Sequence, residues 1–312
     1  MSEFGFIASI AKAFASLPAN GFEGIGDDCA VLPIDNGESL LFTADMLNEG
    51  VHFLRHAATP AEIGAKSLMV NLSDVAAMGG RPIATLLSLA LPADAGESWA
   101  AEFMQGYREV SERFGVALVG GDTTRSQSGV VVNVTAIGRA RNECIKRRRD
   151  ARAGDIIMVG DMLGASAAGL HDILSGNLHT AFADVHRNPQ AQIREGEWLG
   201  AQPCVHAMMD ISDGVASDLV HILKASNVGA QVETTQVPTA TTLENALCGG
   251  EDYKLLFTVA PDCANDLCAR FRRQFGYAIH PIGTITSDHA CTICWLRSGT
   301  PIHHSWHGFT HF

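Results

Sequence analysis

Five short segments of this 312-residue chain share one composition, an aspartate set beside glycine, hydroxyl or amide side chains. They are Gly26-Asp27-Asp28, Thr43-Ala44-Asp45, Asn71-Leu72-Ser73-Asp74, Gly120-Gly121-Asp122-Thr123-Thr124 and Asp210-Ile211-Ser212-Asp213-Gly214. The second runs on into a turn carrying Glu49, Gly50 and His52. A lone aspartate next to glycine is ordinarily a turn residue. Five acid-bearing turns, mostly at the ends of apolar strands or helices, instead point to convergence on one place. Seven aspartates would then meet (27, 28, 45, 74, 122, 210 and 213) and repel one another. Two like charges at ~4 Å cost about 4 kcal/mol at an effective dielectric near 20. Hard cations between the carboxylates relieve that cost. Mg²⁺ fits, because it takes oxygen ligands, keeps several waters and joins carboxylates to phosphates. Thr43 and Ser212 would add hydroxyl oxygens, and the glycines would let backbone amides approach phosphate.

Other phosphate and hydrolase signatures are missing. No lysine follows glycine as in a P-loop, and there is no His-Arg-Asp with Asp-Phe-Gly, no Gly-x-Ser-x-Gly and no His-Glu-x-x-His. A nucleotide site here is built from aspartates, metal and backbone amides. The net charge of −12 argues against a broad grip on nucleic acid or an anionic membrane. The longest apolar run, Pro82 to Pro92, is shorter than the ~20 residues that span a bilayer. The N-terminal stretch lacks the basic and apolar regions of a signal peptide. Eight cysteines scattered through a long chain read as reduced thiols of a cytoplasmic protein.

The elements that must position these acids can be read in order. Residues 1–20 form an amphipathic helix with Phe6, Ile10, Ala13, Phe14 and Leu17 on one side. Strands follow at 28–33 and 40–45, the second delivering Asp45 at its end. Thr59-Pro60-Ala61-Glu62 is a capping box with proline at the first helical position. In that helix Ile63, Ser67, Val70 and Asp74 share a face, until Gly79-Gly80 stops it. A strand at 83–91, a helix at 97–114 ended by Gly115, and strands at 116–119 and 130–137 complete an α+β, ferredoxin-like layer. The basic run 139–152 marks the domain boundary, most of its arginines forming a solvated face and one or two free to meet an anion. Beyond it come a strand at 156–159, a helix at 165–174, a polar, loop-rich stretch at 188–200 and a strand at 205–209. Ser212 or Asp213 caps the next helix. A turn at 249–253 feeds a strand at 255–259. A helix at 262–275 and a hairpin about Ser298-Gly299 close the chain. The fold class is α/β (α+β) in two domains.

Taken together, Gly-Asp-Asp at 26–28, Glu-Gly-Val-His-Phe at 49–53, Asn-Leu-Ser-Asp at 71–74 with Ala-Ala-Met-Gly at 76–79, and Gly-Gly-Asp-Thr-Thr-Arg at 120–125 resemble the thiamine-monophosphate kinase family. So do Asp-Ile-Ser-Asp-Gly at 210–214, Gly-Gly-Glu-Asp-Tyr at 249–253 and Gly-Phe-Thr-His-Phe at 308–312. The likeness runs in order from about residue 20 onward. Relatives such as aminoimidazole ribonucleotide synthetase share the acidic plan, but the 49–53 and 308–312 elements point to the thiamine enzymes.

The resemblance implies an aminoimidazole ribonucleotide synthetase-like fold with residues 1–140 as an ATP- and Mg²⁺-binding dimerisation domain and 150–312 as an α/β domain completing the site. It implies ATP-dependent conversion of thiamine monophosphate to thiamine diphosphate, the last step toward that product, by a homodimer. Asp27, Asp28, Thr43, Asp45, Asp74, Asp122, Asp210 and Asp213 would be metal ligands for several Mg²⁺ ions, a monovalent cation being left open. Gly121, Asp122, Arg148 and Ser212 would touch ATP, the choice among Arg147, Arg148 and Arg149 depending on register. His52, Glu251 and Phe309 would line the thiamine phosphate site, Phe309 stacking on a ring and Glu251 bonding the aminopyrimidine. A phosphate monoester is already ionised near neutrality, its second pKa being ~6, so the acceptor needs no general base. The expected chemistry is direct in-line transfer with His52 binding phosphate. Two departures from the family stand out, Ala44 in place of a hydroxyl residue and Lys254 in place of a glutamate.

A different class is suggested by Cys291-x2-Cys294-x12-His307-x3-His311, the spacing of a two-Cys, two-His zinc finger. Gly308 between the histidines and Pro301 before them oppose the helix a finger needs. Two cysteines three apart on a strand would also face opposite ways.

Overall fold

The computed structural model describes residues 3–309, with the backbone alone for Glu3 and Phe4. The first part holds helix α1 (Glu3–Phe14), β1 (Ala30–Ile34), β2 (Glu38–Asn48), α2 (Pro60–Ala77), β3 (Arg81–Leu91), α3 (Glu97–Phe114), β4 (Ala117–Arg125) and β5 (Val131–Arg141). The second holds β6 (Ile156–Val159), α4 (Ala165–Leu174), α5 (Ala181–Arg187), α6 (Ile193–Gly200), β7 (Val205–Asp210), α7 (Val215–Ser226) and β8 (Gly229–Glu233). It ends with α8 (Leu243–Cys248), β9 (Leu255–Val259), α9 (Ala264–Phe275), β10 (His280–Thr286), β11 (Ile293–Arg297) and β12 (Thr300–Pro301).

The strands make two mixed sheets. One is ordered β1-β2-β5-β3-β4, the other β12-β11-β8-β10-β6-β9-β7. In the first, β3 and β4 run parallel, as a βαβ crossover through α3 requires, and the other pairs are antiparallel. A core of Leu41, Leu68, Leu72, Val75, Phe103, Val132 and Val134 joins this sheet to α2 and α3.

Helix α2 is the centre of the molecule. The capping box is present: Thr59 accepts from the Glu62 amide and Glu62 accepts from the Thr59 amide. Thirteen of its residues are buried, because the first sheet, α3 and α6 all pack on it. Gly64 and Gly106 let α2 and α3 approach to backbone contact. A Cβ on Gly106 would stand 1.8 Å from the Ala61 carbonyl oxygen, and one on Gly64 would stand 2.0 Å from that of Phe103. Gly106→Ala is therefore expected to destabilise the chain by at least about 2 kcal/mol, read as a lower denaturation midpoint at unchanged slope.

Several elements differ from the sequence expectation. β2 continues to Asn48, because it pairs with β5 as far as Val131, so Asp45 lies within a strand rather than at its end. Gly120-Gly121-Asp122 is not a turn but the middle of β4, in register with Leu86, Leu87 and Ser88. Gly121 is needed there, since a Cβ would fall 1.7 Å from the Leu87 carbonyl oxygen at a φ of 150°. The stretch 188–200 is not all loop, as α6 occupies 193–200 against α2. Neither Ser212 nor Asp213 caps α7. Gly214 holds the N-cap, and Asp218, from inside the helix, accepts from the Asp213 and Gly214 amides. The stripe expected on the first helix is largely exposed, Phe6 at 44% and Phe14 at 61%. The hairpin about Ser298-Gly299 is formed by β11 and β12.

Candidate active site

Carboxylates from both parts meet where α2 ends against β7. Oxygens of Asp28, Asp74 and Asp210 all lie within 4.8 Å of one another. Each is held by a side chain from another segment of the chain. Thr43 donates to Asp74 at 2.5 Å, and Ser73 donates to Asp210 at 2.6 Å. The Asp45 amide donates to Asn71, whose own amide group donates to the Ser67 carbonyl one turn earlier in α2. Asn71-Leu72-Ser73-Asp74 thus works from one helix on acids of two strands, β2 and β7. Asn71 fixes the Asp45 backbone, Ser73 fixes Asp210, and Asp74 joins the cluster.

Burial, with Asp28 beside them, pushes Asp45 up to about 6 and Asp210 up to about 7. Asp74 is raised well above the usual carboxylate range by burial and by Asp45, Asp210 and Asp28. Protein groups supply little compensation. Arg148 donates from Nη2 to Asp28 Oδ1 at 2.6 Å and from its backbone amide to Asp27 at 2.7 Å. The other oxygen of Asp28, Oδ2, is buried without a hydrogen-bond partner. An orphaned carboxylate oxygen facing two more acids is the donor set of a hard cation, so these residues fit Mg²⁺.

The arginine run divides its work. Arg147 and Arg149 pair with Glu23, while Arg148 turns to the acids. Burial alone would lower Arg148, but the charge of Asp28 and the bond to it, with Asp27 and Asp210, hold it above its ordinary value. Glu49 is taken up by Arg55 and the Val130 amide, an anchor for the loop after β2.

A cleft of about 490 Å³ opens from the acids. Asp45, Asp74, Asp210, Ser212 and Asp213 line it together with His52, Glu251 and Phe309. His52 Nδ1 accepts from the Asn48 amide at 3.0 Å. In the neutral ring the proton then sits on Nε2, which makes that nitrogen a donor. Glu251 and Tyr253 hold the left-handed backbone at φ 63° and 49°. They are pinned there by amide bonds to the Ser212 and Ile211 carbonyls. The Phe309 amide donates to the Asp213 carbonyl, which brings the end of the described chain over the cleft.

The structure therefore brings together Asp27, Asp28, Thr43, Asp45, Asp74, Arg148, Asp210, Ser212 and Asp213, with His52, Glu251 and Phe309 in the wall of the same cleft. Gly121 and Asp122 stand apart. They are exposed on β4, and neither lines the cleft. Lys66, His186 and Ser73 carry contacts that reading the sequence did not assign. A single lysine in the Ile63–Val70 run of α2, otherwise apolar or small, was the available signal. Of the two departures, Ala44 is exposed, and Lys254 reaches the Gln190 carbonyl at 2.8 Å. Among the described residues Cys291, Cys294 and His307 do not converge, Cys294 being exposed on β11, and His311 lies outside the described residues.

Such a two-sheet fold with acids at the junction defines a class. The AIR synthase related protein, N-terminal domain, matches residues 26–140, and the corresponding C-terminal domain matches residues 152–295. Thiamine-monophosphate kinase of Escherichia coli strain K12 is 35% identical, over 99% of this chain and 98% of that protein. The Haemophilus influenzae enzyme is 35% identical over 92% and 91%. A solved structure described as AaThiL complexed with AMPPCP and TMP superposes with a TM-score of 0.85 at 31% identity, covering 100% of this chain and 97% of that one. The chain belongs to the thiamine-monophosphate kinase family of AIR synthase related proteins.

Proposed function

We propose that this chain catalyses ATP-dependent phosphorylation of thiamine monophosphate to thiamine diphosphate. The observation that carries the reading is the convergence of Asp28, Asp74 and Asp210, one oxygen unpartnered, on a cleft whose wall also holds His52, Glu251 and Phe309. The solved relative described with AMPPCP and TMP supports both substrates.

Asp28, Asp74 and Asp210 would hold Mg²⁺, with Asp27, Asp45 and Asp213 completing the set and Thr43 orienting Asp74. Bound Mg²⁺ would screen the two polyanions from each other. Arg148 and Ser212 would bind ATP. His52 would donate from Nε2 to the acceptor phosphate. Glu251 would accept from the aminopyrimidine, with Phe309 against a ring. Every group named binds or orients, and none removes a proton. This suits an acceptor oxygen that is already ionised, and transfer is direct and in line.

Gly121 and Asp122 would join ATP and metal from β4, an edge strand with Leu118 and Val119 exposed. An open, apolar edge is a pairing surface. We infer a homodimer that covers it, with residues 1–140 as the dimerising part and 150–312 completing the site. We infer a cytoplasmic reaction, a reading that the eight free cysteines support.

Purified protein with ATP, MgCl₂ and thiamine monophosphate is expected to yield thiamine diphosphate on chromatography, and to yield none with EDTA. Unphosphorylated thiamine and an aminoimidazole ribonucleotide precursor serve as rival acceptors. Phosphorylation of a rival alone would remove the substrate assignment. No nucleotide binding at all would remove the site.

A further inference from the structure

Lys66 is 3% exposed and stands in the middle of α2, where the chain buries an ammonium away from the acidic cluster. Its ammonium has three close oxygens, two of which accept hydrogen bonds from it. They are Glu251 Oε1 at 2.9 Å, Glu251 Oε2 at 3.0 Å and the His52 carbonyl at 3.0 Å. Buried and turned to these oxygens, Lys66 acts through Glu251 and His52. On the other side His186 Nε2 lies 3.4 Å from Glu251 Oε2, while its Nδ1 meets the Ser166 hydroxyl at 3.0 Å. Burial and Lys66 push His186 down to about 4, so it faces Glu251 as a neutral ring. Burial alone would raise Glu251, but Lys66, by its charge and its hydrogen bond, holds it below its ordinary value.

The position of this cluster suggests what it is for. A second chamber of about 220 Å³, with Leu54, Ala57, Ile63 and Ile173 in its walls, adjoins the main cleft. His52, His186 and Glu251 line both cavities, so the cluster stands in the wall between them. An ionised carboxylate is an acceptor only, whereas a protonated one also donates. Fixing it ionised therefore selects ligands that present N–H at that wall.

Building on the function proposed above, we propose that Lys66, backed by His186, is a specificity-determining positioning residue that keeps Glu251 an ionised, immobile acceptor. In this way the chain selects acceptors carrying an exocyclic amino group on the pyrimidine.

The test compares thiamine monophosphate with its 4-oxo pyrimidine analogue, which places an oxygen where the amino group was. Wild type is expected to prefer the amino acceptor by about 10²-fold or more in kcat/KM, because a carboxylate facing an oxygen sets acceptor against acceptor. Lys66→Met is expected to cut that ratio to under about 5-fold, chiefly through KM for the amino acceptor, with nucleotide affinity unchanged. KM should also become pH-dependent, rising as pH falls. Lys66→Arg should recover part of the ratio. The double variant Lys66→Met/Glu251→Gln leaves no unpaired charge to hinder folding, and it should show the same lost discrimination. If both methionine variants discriminate as wild type does, or lose nucleotide and acceptor affinity equally, the inference is overturned while the functional reading stands. A wild-type chain that phosphorylates neither acceptor overturns both.

Discussion

Asp210→Asn is expected to lower turnover on the order of 10³-fold, and in EDTA at pH 8 to raise the thermal midpoint. The two effects have one cause. Asp210 is 3% exposed and held up to about 7 by burial and by Asp28, against the pull of Ser73 and Arg148. Its folded pKa thus lies above the unfolded value, and the folded chain binds the extra proton. The favourable contribution is fully present below the unfolded pKa near 3.8 and is lost as pH rises through about 7. Metal-free wild type should lose about 2 kcal/mol from this cluster between pH 5 and 8, a few degrees in midpoint. Mg²⁺ should restore it at pH 8. The amide variant keeps an oxygen for the Ser73 hydroxyl, carries no charge to bury, and should show a flatter pH dependence and a smaller response to Mg²⁺. Scanning calorimetry at two pH values, with and without Mg²⁺, reads all of this. A flat midpoint for metal-free wild type would contradict the electrostatic account.

Arg148→Met should act oppositely on stability. Asp28 is 2% exposed at its side chain, and Arg148 is its ion-pair partner at 2.6 Å. Removing one member of such a pair leaves an uncompensated buried charge and costs about 3 kcal/mol. Turnover should fall at least about 100-fold in kcat/KM for ATP. Adding Asp28→Asn should return most of the stability and none of the activity, because the orphaned charge is gone but so are the proposed metal ligand and the proposed nucleotide contact. Full recovery of activity would place ATP elsewhere. Arg147→Met is the control, since that side chain bonds Glu23.

What could be read in advance followed from local rules. The start of α2 was legible because its capping box is complete within four residues. The end of α3 was legible because Gly115 takes the left-handed backbone, at φ 68°. The convergence of Asp28, Asp74 and Asp210 was legible from their shared setting beside glycine and hydroxyl residues, whereas Asp122, in the same setting, stands apart on β4. Misreadings arose where a local signal served a distant demand. Gly120-Gly121-Asp122 has the composition of a turn, yet its glycine answers to the Leu87 carbonyl in a neighbouring strand. Ser212 and Asp213 look like caps, yet Asp218 does that work from within α7. Lys66 and Ser73 stayed hidden because their partners, Glu251 and Asp210, are 185 and 137 residues away. No window of sequence contains both members of either pair.

Those same separations bear on how the chain is made. Ser73 and Lys66 each wait for a partner that the ribosome adds more than a hundred residues later. A nascent chain ending before β7 carries Asp28, Asp45 and Asp74 but lacks Asp210, Asp213, Ser212 and Glu251. Such a fragment holds every strand of the first sheet, yet it lacks Asp210 of the acid cluster and the 249–253 turn of the cleft wall. The site is complete only when that turn lies on α2, where Glu251 meets Lys66.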